Sequence, residues 1–371
     1  MDESTTIAAI RAIPVAVPYL KPLRFASGSI DVADNVIIEV ETSDGVVGIA
    51  EALPRPYTYG ETQASIVAVI EQLFAPHLVG LPLLQRELMR ERKERTVGNP
   101  GAKAALDIAV WDAIGRTLGV SVHGLLGAHT DRVRVSHMLG FDDPAVVAAE
   151  AVELRETLGI TSFKVKVGRR PIDADVAVCR AVRAAVGDDV EIYVDGNRGW
   201  SAAEAARALA ALRDVGLSRV EELCPADDVL SRRWLVAQCE VPFVADESAT
   251  TPAEIVREVL GGAATAINIK LARSGFSDGL RVASLAEGMG IEAVVANQID
   301  AHLGTVASLV FAASQRSLSR HAAELSNYLD LGDTLLTEDL VIVDGAMTVP
   351  DRPGVGVDLD PEKVAHYRLD T

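Results

Sequence analysis

The sequence predicts an α/β protein, a (β/α)8-type TIM barrel preceded by an N-terminal α+β domain. Three observations carry this. Short apolar strands alternate with Ala-rich helical segments from about residue 133 to 325, in units of roughly 25–30 residues. Seven successive strands finish on a charged or amide side chain, a periodicity that scattered surface charges would not keep. The front of the chain, to about residue 65, has the alternation of half-buried β-strands instead.

In that front end, "NVIIEVETSDGVVGIAEA" (35–52) holds two alternating apolar runs joined by Asp44-Gly45, a hairpin signal. "ETQASIVAVIEQLF" and "GAKAALDIAVWDAIGRTLG" then give a helical stretch to about residue 127. The barrel strands are expected at 133–140, 162–168, 191–197, 219–223, 243–248, 266–271, 292–298 and 319–325. Helices such as "DPAVVAAEAVELRETLG" and "SDGLRVASLAEGMG" lie between them. A doubly wound sheet would have fewer regular units and usually a Gly-rich phosphate loop, and the sequence has none. The expected domains are therefore 1–127, the α+β cap, and 128–347, the barrel. A Pro/Gly-rich tail, 348–371, is expected to fold back on the cap.

Composition narrows the function. The 371 residues are 49% apolar and 24% charged, and the formal net charge is −18. Such an acidic surface argues against a nucleic-acid or anionic-membrane partner. Cys179, Cys224 and Cys239 form neither a metal-ligand spacing nor a disulfide framework, which suits a reducing compartment. The N-terminus has no basic leader and no apolar run is long enough to span a bilayer, so a cytoplasmic protein is expected.

Barrel chemistry collects at the C-terminal ends of the strands. Asp195, Glu221 and Asp246 close three consecutive strands. Adjacent strands lie about 5 Å apart, so the three carboxylates can converge, and unpaired they would repel. A hard divalent cation resolves that, and all-oxygen ligation favours Mg²⁺ or Mn²⁺. Glu222 and Glu247 each follow a ligand candidate by one residue and should point the other way, in supporting roles. "TSFKVKVG" places Lys164 and Lys166 on one strand face, and Lys270 comes from the opposite side of the proposed cation group. Mutual repulsion and the cation should lower at least one of these lysine pKa values, as a general acid or base requires. Asn197, Asn297 and Glu324 complete the strand-end set as candidate substrate contacts. The front-end loops add Lys21, Arg24, Arg55, Tyr57 and Tyr59 as weaker candidates, and His302 is another residue near the expected pocket.

These motifs resemble the enolase superfamily and, within it, the muconate lactonizing enzyme subgroup, along nearly the whole chain. "FKVKVG" is similar to its Lys-x-Lys strand, "VDGNRGW" to its Asp-x-Asn-x-x-Trp strand and "VPFVADES" to its third-ligand strand. "INIKLARSGF" resembles its sixth-strand lysine segment and "RPGVGVDLD" its C-terminal closure. "VEELCPADD" departs from the pattern, since the family's Pro stands nearer the ligand Glu. Glu221 keeps the expected spacing and is preferred to Glu222.

The resemblance implies a modified (β/α)7β barrel, a metal at Asp195, Glu221 and Asp246, and an enolate whose α-proton is moved by a lysine. Lys166 is the implied acid, with Lys270 as partner or alternative and Lys164 in support. It also implies a small-molecule carboxylate substrate and a homo-oligomer, commonly an octamer. The Lys270 strand does not fit the mandelate racemase subgroup. "HAAELSNYLDLGDTLL", which carries Glu324 and no Asp-x-Asp, differs from the dipeptide epimerases. The expected reaction is cycloisomerisation of cis,cis-muconate to muconolactone. o-Succinylbenzoate synthesis, N-acylamino acid racemisation and dipeptide epimerisation stay open, as does a catalytically silent relative.

Overall fold

A computed structural model describes residues 5–25 and 28–370. Strands β1 (Ile7–Pro14), β4 (Val36–Thr42) and β5 (Val47–Ala52) form an antiparallel sheet in the order β1-β4-β5. The β4–β5 turn falls at Asp44-Gly45, where Gly45 takes φ +82°, a conformation open to glycine at little cost. β2 (Val17–Phe25) and β3 (Gly28–Ala33) make a separate two-stranded ribbon.

The helix Pro100–Leu118 packs on β4 and β5, so Ile37, Ile38, Ala105 and Ala109 are buried. Its other flank meets the barrel helix Leu271–Met289. There Trp111 sets its ring edge-on to Phe276 at 6.3 Å and donates from Nε1 to Ser277 Oγ at 3.0 Å. The backbones approach closely on the sheet side: a Cβ on Gly48 would stand 2.2 Å from the Ala109 carbonyl oxygen.

The barrel contains all eight expected strands: β6 (Arg132–Leu139), β7 (Ser162–Lys166), β8 (Glu191–Asp195), β9 (Val220–Glu221), β10 (Phe243–Ala245), β11 (Ala266–Ile269), β12 (Glu292–Val295) and β13 (Ala323–Glu324). They pair in parallel in chain order from β6 to β12, with β13 on β6. β9 and β13 are shorter than the apolar runs suggested. Glu222, at φ +41°, turns the chain out of the sheet directly after Glu221. No ladder joins β12 to β13 among the described residues. Asn297 bridges the seam instead: its backbone N–H donates to Glu324 Oε2 (3.3 Å) and its Nδ2 to the Glu324 carbonyl (3.1 Å).

After the barrel, β14 (Ala346–Thr348) runs antiparallel to β6. The last segment then touches the front end. The Val355 N–H donates to Asp112 Oδ1 (2.6 Å), Arg116 pairs with Asp358 (2.7 Å), and the Leu369 N–H donates to the Pro14 carbonyl (2.9 Å). No described helix is long and apolar enough to cross a membrane.

Candidate active site

Lys166, Asp195 and Glu221 are direct register partners across β7, β8 and β9, so one rung of the sheet carries a lysine and two carboxylates. Lys164 lies one layer deeper, in register with Met138 and Tyr193. Asp246 follows β10 and Lys270 follows β11, both buried. The strand alternation that places Lys164 and Lys166 on one face therefore turns both into the barrel.

Lysines and carboxylates are closely paired. Lys164 Nζ lies 2.9 Å from Glu221 Oε2, 2.5 Å from Glu324 Oε1 and 3.6 Å from Asp195 Oδ2. Lys166 Nζ donates to Asp195 Oδ2 and to Asn197 Oδ1, both at 2.6 Å. Lys270 Nζ reaches Asp246 Oδ2 at 2.5 Å. Asp246 Oδ1 is held from the other side by Arg273 Nη1 at 2.7 Å.

At Lys164 and Lys270 these contacts act against the depression expected from lysine–lysine repulsion. Burial alone would depress Lys164, but Glu221, Glu324 and Asp195 outweigh it and push its pKa well up. Lys270 is raised in the same way, with Asp246 outweighing burial. The sequence argument counted the lysines' repulsion for one another; in the fold Lys164 and Lys270 each have a carboxylate within 3 Å, and the nearer opposite charge prevails. Glu221 shows the converse. Burial first, then the charges of Asp195, Asp246 and Glu324, raise its pKa well above the ordinary value even with Lys164 in contact.

That imbalance bears on whether a cation fits. Three buried carboxylates from adjacent strands offer hard oxygen donors, and Glu221 still lacks enough positive charge to stay ionised comfortably. Among the described residues no three acidic, His or Cys side chains are drawn to ligand spacing, and ammonium groups stand among the carboxylates. The donor set suits a hard divalent ion in chemistry, charge and burial.

A cavity of about 590 Å³ opens above this layer. Its floor includes Lys164, Lys166 and Lys270, with Asn197, Asn297 and Glu324 beside them, while Ile30, Val32 and the loop 54–58 form the cap side. Asp195, Glu221 and Asp246 are buried and do not line it. Glu324 does line it, but its carboxylate is committed to Lys164 and to the Tyr193 hydroxyl (2.9 Å).

The remaining candidates separate. Glu222 is fully buried and structural: it accepts from Arg232 Nη1 (2.7 Å) and from the backbone N–H groups of Asp246 (2.7 Å) and Ser248 (3.1 Å), so it fixes the loop carrying Asp246. Glu247, expected to point away, lines the cavity and pairs with Arg198 Nε at 3.1 Å. The chain has left the strand at Ala245, so strict alternation no longer applies. Burial and then the Asp246 charge push the Glu247 pKa up to about 7.

Arg55 borders the cavity, yet its guanidinium donates to the carbonyls of Pro54 (2.6 Å) and Gln298 (2.9 Å) and so acts as a latch. Tyr57 is 85% exposed at the rim. Tyr59 is not in the lining: its hydroxyl donates to Gln298 Oε1 (2.9 Å) and accepts from Arg273 (3.0 Å). Lys21 is exposed and also outside the lining, and the Arg24 side chain lies outside the described residues. His302 packs against Tyr328 with ring centroids 4.9 Å apart and does not reach the cavity.

Arg273, Arg232 and Arg198 were missed by sequence reasoning. Arg273 carried a faint signal, since it stands one helical turn after Lys270 in "KLAR" and so returns to the same side.

Comparison with known proteins agrees with this architecture. Residues 7–127 match the model of the mandelate racemase/muconate lactonizing enzyme N-terminal domain, and residues 146–364 match that of the enolase C-terminal domain-like family. A muconate lactonizing enzyme from Mucobacterium Smegmatis, solved in complex with muconolactone, is 59% identical, with a TM-score of 0.97 over 98% of this chain and 100% of that one. A chloromuconate cycloisomerase from Pseudomonas sp. (strain P51) is 33% identical over 97% of this chain and 98% of its own. A dipeptide epimerase from Enterococcus faecalis V583, solved with Mg and L-Leu-L-Tyr, is 30% identical, with a TM-score of 0.90 over 95% and 99% of the two chains. The chain belongs to the mandelate racemase/muconate lactonizing enzyme family of the enolase superfamily, and it is an isomerase.

Proposed function

We propose that the protein is a metal-dependent muconate cycloisomerase. The observation that carries this is the 59% identity, over nearly the full length, to a lactonizing enzyme whose structure contains muconolactone. The cavity floor is consistent with it: three lysines face the space where a dianion would lie. A hard divalent ion, Mg²⁺ or Mn²⁺, at Asp195, Glu221 and Asp246 would supply the fixed positive charge against which one substrate carboxylate binds and its negative charge grows. Mg in the solved dipeptide epimerase supports that assignment.

The chain's own residues do the rest. An oxygen of the distal carboxylate bonds to the β-carbon of the double bond conjugated with the bound carboxylate, closing a five-membered lactone. The π pair moves onto that carboxylate as an enolate, and the α-carbon then takes a proton from Nζ of Lys166, or of Lys270 on the other face. Solvent returns the proton to the lysine. Lys164 keeps the layer beneath cationic, while Glu324 and Tyr193 hold it in place. Asn197 fixes the Lys166 ammonium from the side.

One-base or two-base proton transfer at an amino-acid α-carbon is the second reading, because Lys166 and Lys270 both line the cavity. A dipeptide ammonium would need a free acid on β13, and Glu324 is already paired. A cytoplasmic homo-oligomer acting on a small carboxylate remains part of the proposal.

The deciding experiment follows the ultraviolet absorbance of cis,cis-muconate with enzyme and Mn²⁺. Loss of the diene band by wild type, slowed by about 10²–10⁴ in Lys166→Ala, supports cycloisomerisation with Lys166 as acid. A flat trace from metal-loaded wild type that instead exchanges the α-proton of a dipeptide or N-succinylamino acid into D₂O would replace it with the second reading.

A further inference from the structure

Loop 54–61 of the cap lines the cavity through residues 54–58, yet through Tyr59 it is also wired to the carboxylate layer beneath. Arg273 makes the connection. Its Nη1 donates both to Asp246 Oδ1 (2.7 Å) and to the Tyr59 hydroxyl (3.0 Å). Its Nη2 is fixed on the backbone carbonyls of Asp246 (3.2 Å) and Asn268 (3.3 Å), so the guanidinium plane has little freedom. Tyr59 in turn donates to Gln298 Oε1, and Arg55 of the same loop donates to the Gln298 carbonyl (2.9 Å each). One nitrogen thus lies between the cap loop and Asp246, leaving Asp246 Oδ2 directed to Lys270.

We propose that Arg273 is a positioning residue that couples closure of loop 54–61, through the Tyr59 hydroxyl, to the orientation of Asp246 and hence to divalent-ion binding. The inference rests on the cation site proposed above. Groups that orient a metal-ligating carboxylate commonly change metal affinity when replaced. A bond shared by one donor makes loop position and carboxylate orientation energetically dependent, and such coupling is reciprocal. Closing the loop tightens the ion site, and a bound ion holds the loop closed. Lysine cannot replace this arginine, because one ammonium lacks the planar fork that spans Tyr59, Asp246 and the two carbonyls.

The test is a double-mutant cycle on Mn²⁺ affinity, measured calorimetrically on wild type, Tyr59→Phe, Arg273→Lys and the double variant. It is paired with hydrogen exchange of residues 54–61 with and without Mn²⁺. Tyr59→Phe loses a single hydroxyl outside the cavity and should fold, as circular dichroism would confirm. We expect Tyr59→Phe to weaken Mn²⁺ binding about fivefold and Arg273→Lys about tenfold, with the double variant no weaker than Arg273→Lys. Mn²⁺ should slow exchange of the loop in wild type and leave it unchanged in Arg273→Lys. Wild type that binds Mn²⁺ while Tyr59→Phe stays within twofold of it overturns the coupling alone, as does strict additivity. Wild type that takes up no Mn²⁺ overturns the cation site and the coupling together.

Discussion

At the scale of single residues, charge is buried here in complete groups. Glu222 and Arg232 are both fully buried and pair at 2.7 Å, and Arg232 also donates to Ser248 Oγ (2.8 Å). Arg232→Ala would leave the buried Glu222 with its backbone donors but no positive charge beside it, and should cost about 3–5 kcal/mol in urea unfolding. Glu222→Gln in the same background should recover part of that loss, because the stranded charge is then gone. The supporting role of Glu222 was legible beforehand, but its partner Arg232 was not. Asp195, Glu221 and Asp246 announced themselves because their neighbours in the site are strand ends at a regular interval. Arg232 sits in the middle of "SRRWLVAQ", where nothing distinguishes it from its exposed neighbour Arg233. The direction of the lysine pKa shifts was hidden for a related reason. It depends on how many carboxylates come within 3 Å, a number that the spacing of lysines does not contain.

At the scale of elements, alternation and turn chemistry were enough to place all eight barrel strands, but not to end them. β9 stops after Glu221, where Glu222 adopts a positive φ and its carboxylate accepts from the Asp246 N–H, an event one residue wide. The packing of β5 on the helix Pro100–Leu118 is similarly local. Gly48 lies where a Cβ would meet the Ala109 carbonyl at 2.2 Å and the Ala113 nitrogen at 2.4 Å, both backbone atoms that cannot swing aside. Gly48→Ala should therefore force sheet and helix apart and lower stability by about 1–3 kcal/mol in chemical denaturation. Gly45→Ala, with nothing within 4 Å of its would-be Cβ, should show only the smaller strain of its left-handed backbone.

At the scale of the whole molecule, cap and barrel meet over a buried acid. Glu51, at the end of β5, accepts from the Ala301 N–H at 2.8 Å, where the barrel helix His302–Ser314 begins. Burial, and then the neighbouring Asp300 charge, raise its pKa from the ordinary 4.5 to about 8. Between those two values the folded protein keeps a proton that the unfolded chain has released. Stability from this group is therefore fully present below pH about 4.5 and is lost as the pH rises through 8. Glu51→Gln, which keeps an acceptor for Ala301, should flatten that slope: its melting temperature should match wild type near pH 5 and exceed it near pH 8.5. The fold also has a closure peculiar to it. β12 and β13 are fastened by Asn297 on Glu324, and the same Glu324 neutralises Lys164. The cylinder is a split ring whose clasp is one of its own counterions. A replacement at 324 that removes the carboxylate takes away one of the two bonds across the seam along with a charge of the lumen, so a drift toward a differently shaped substrate at this position must also pass through a change in robustness.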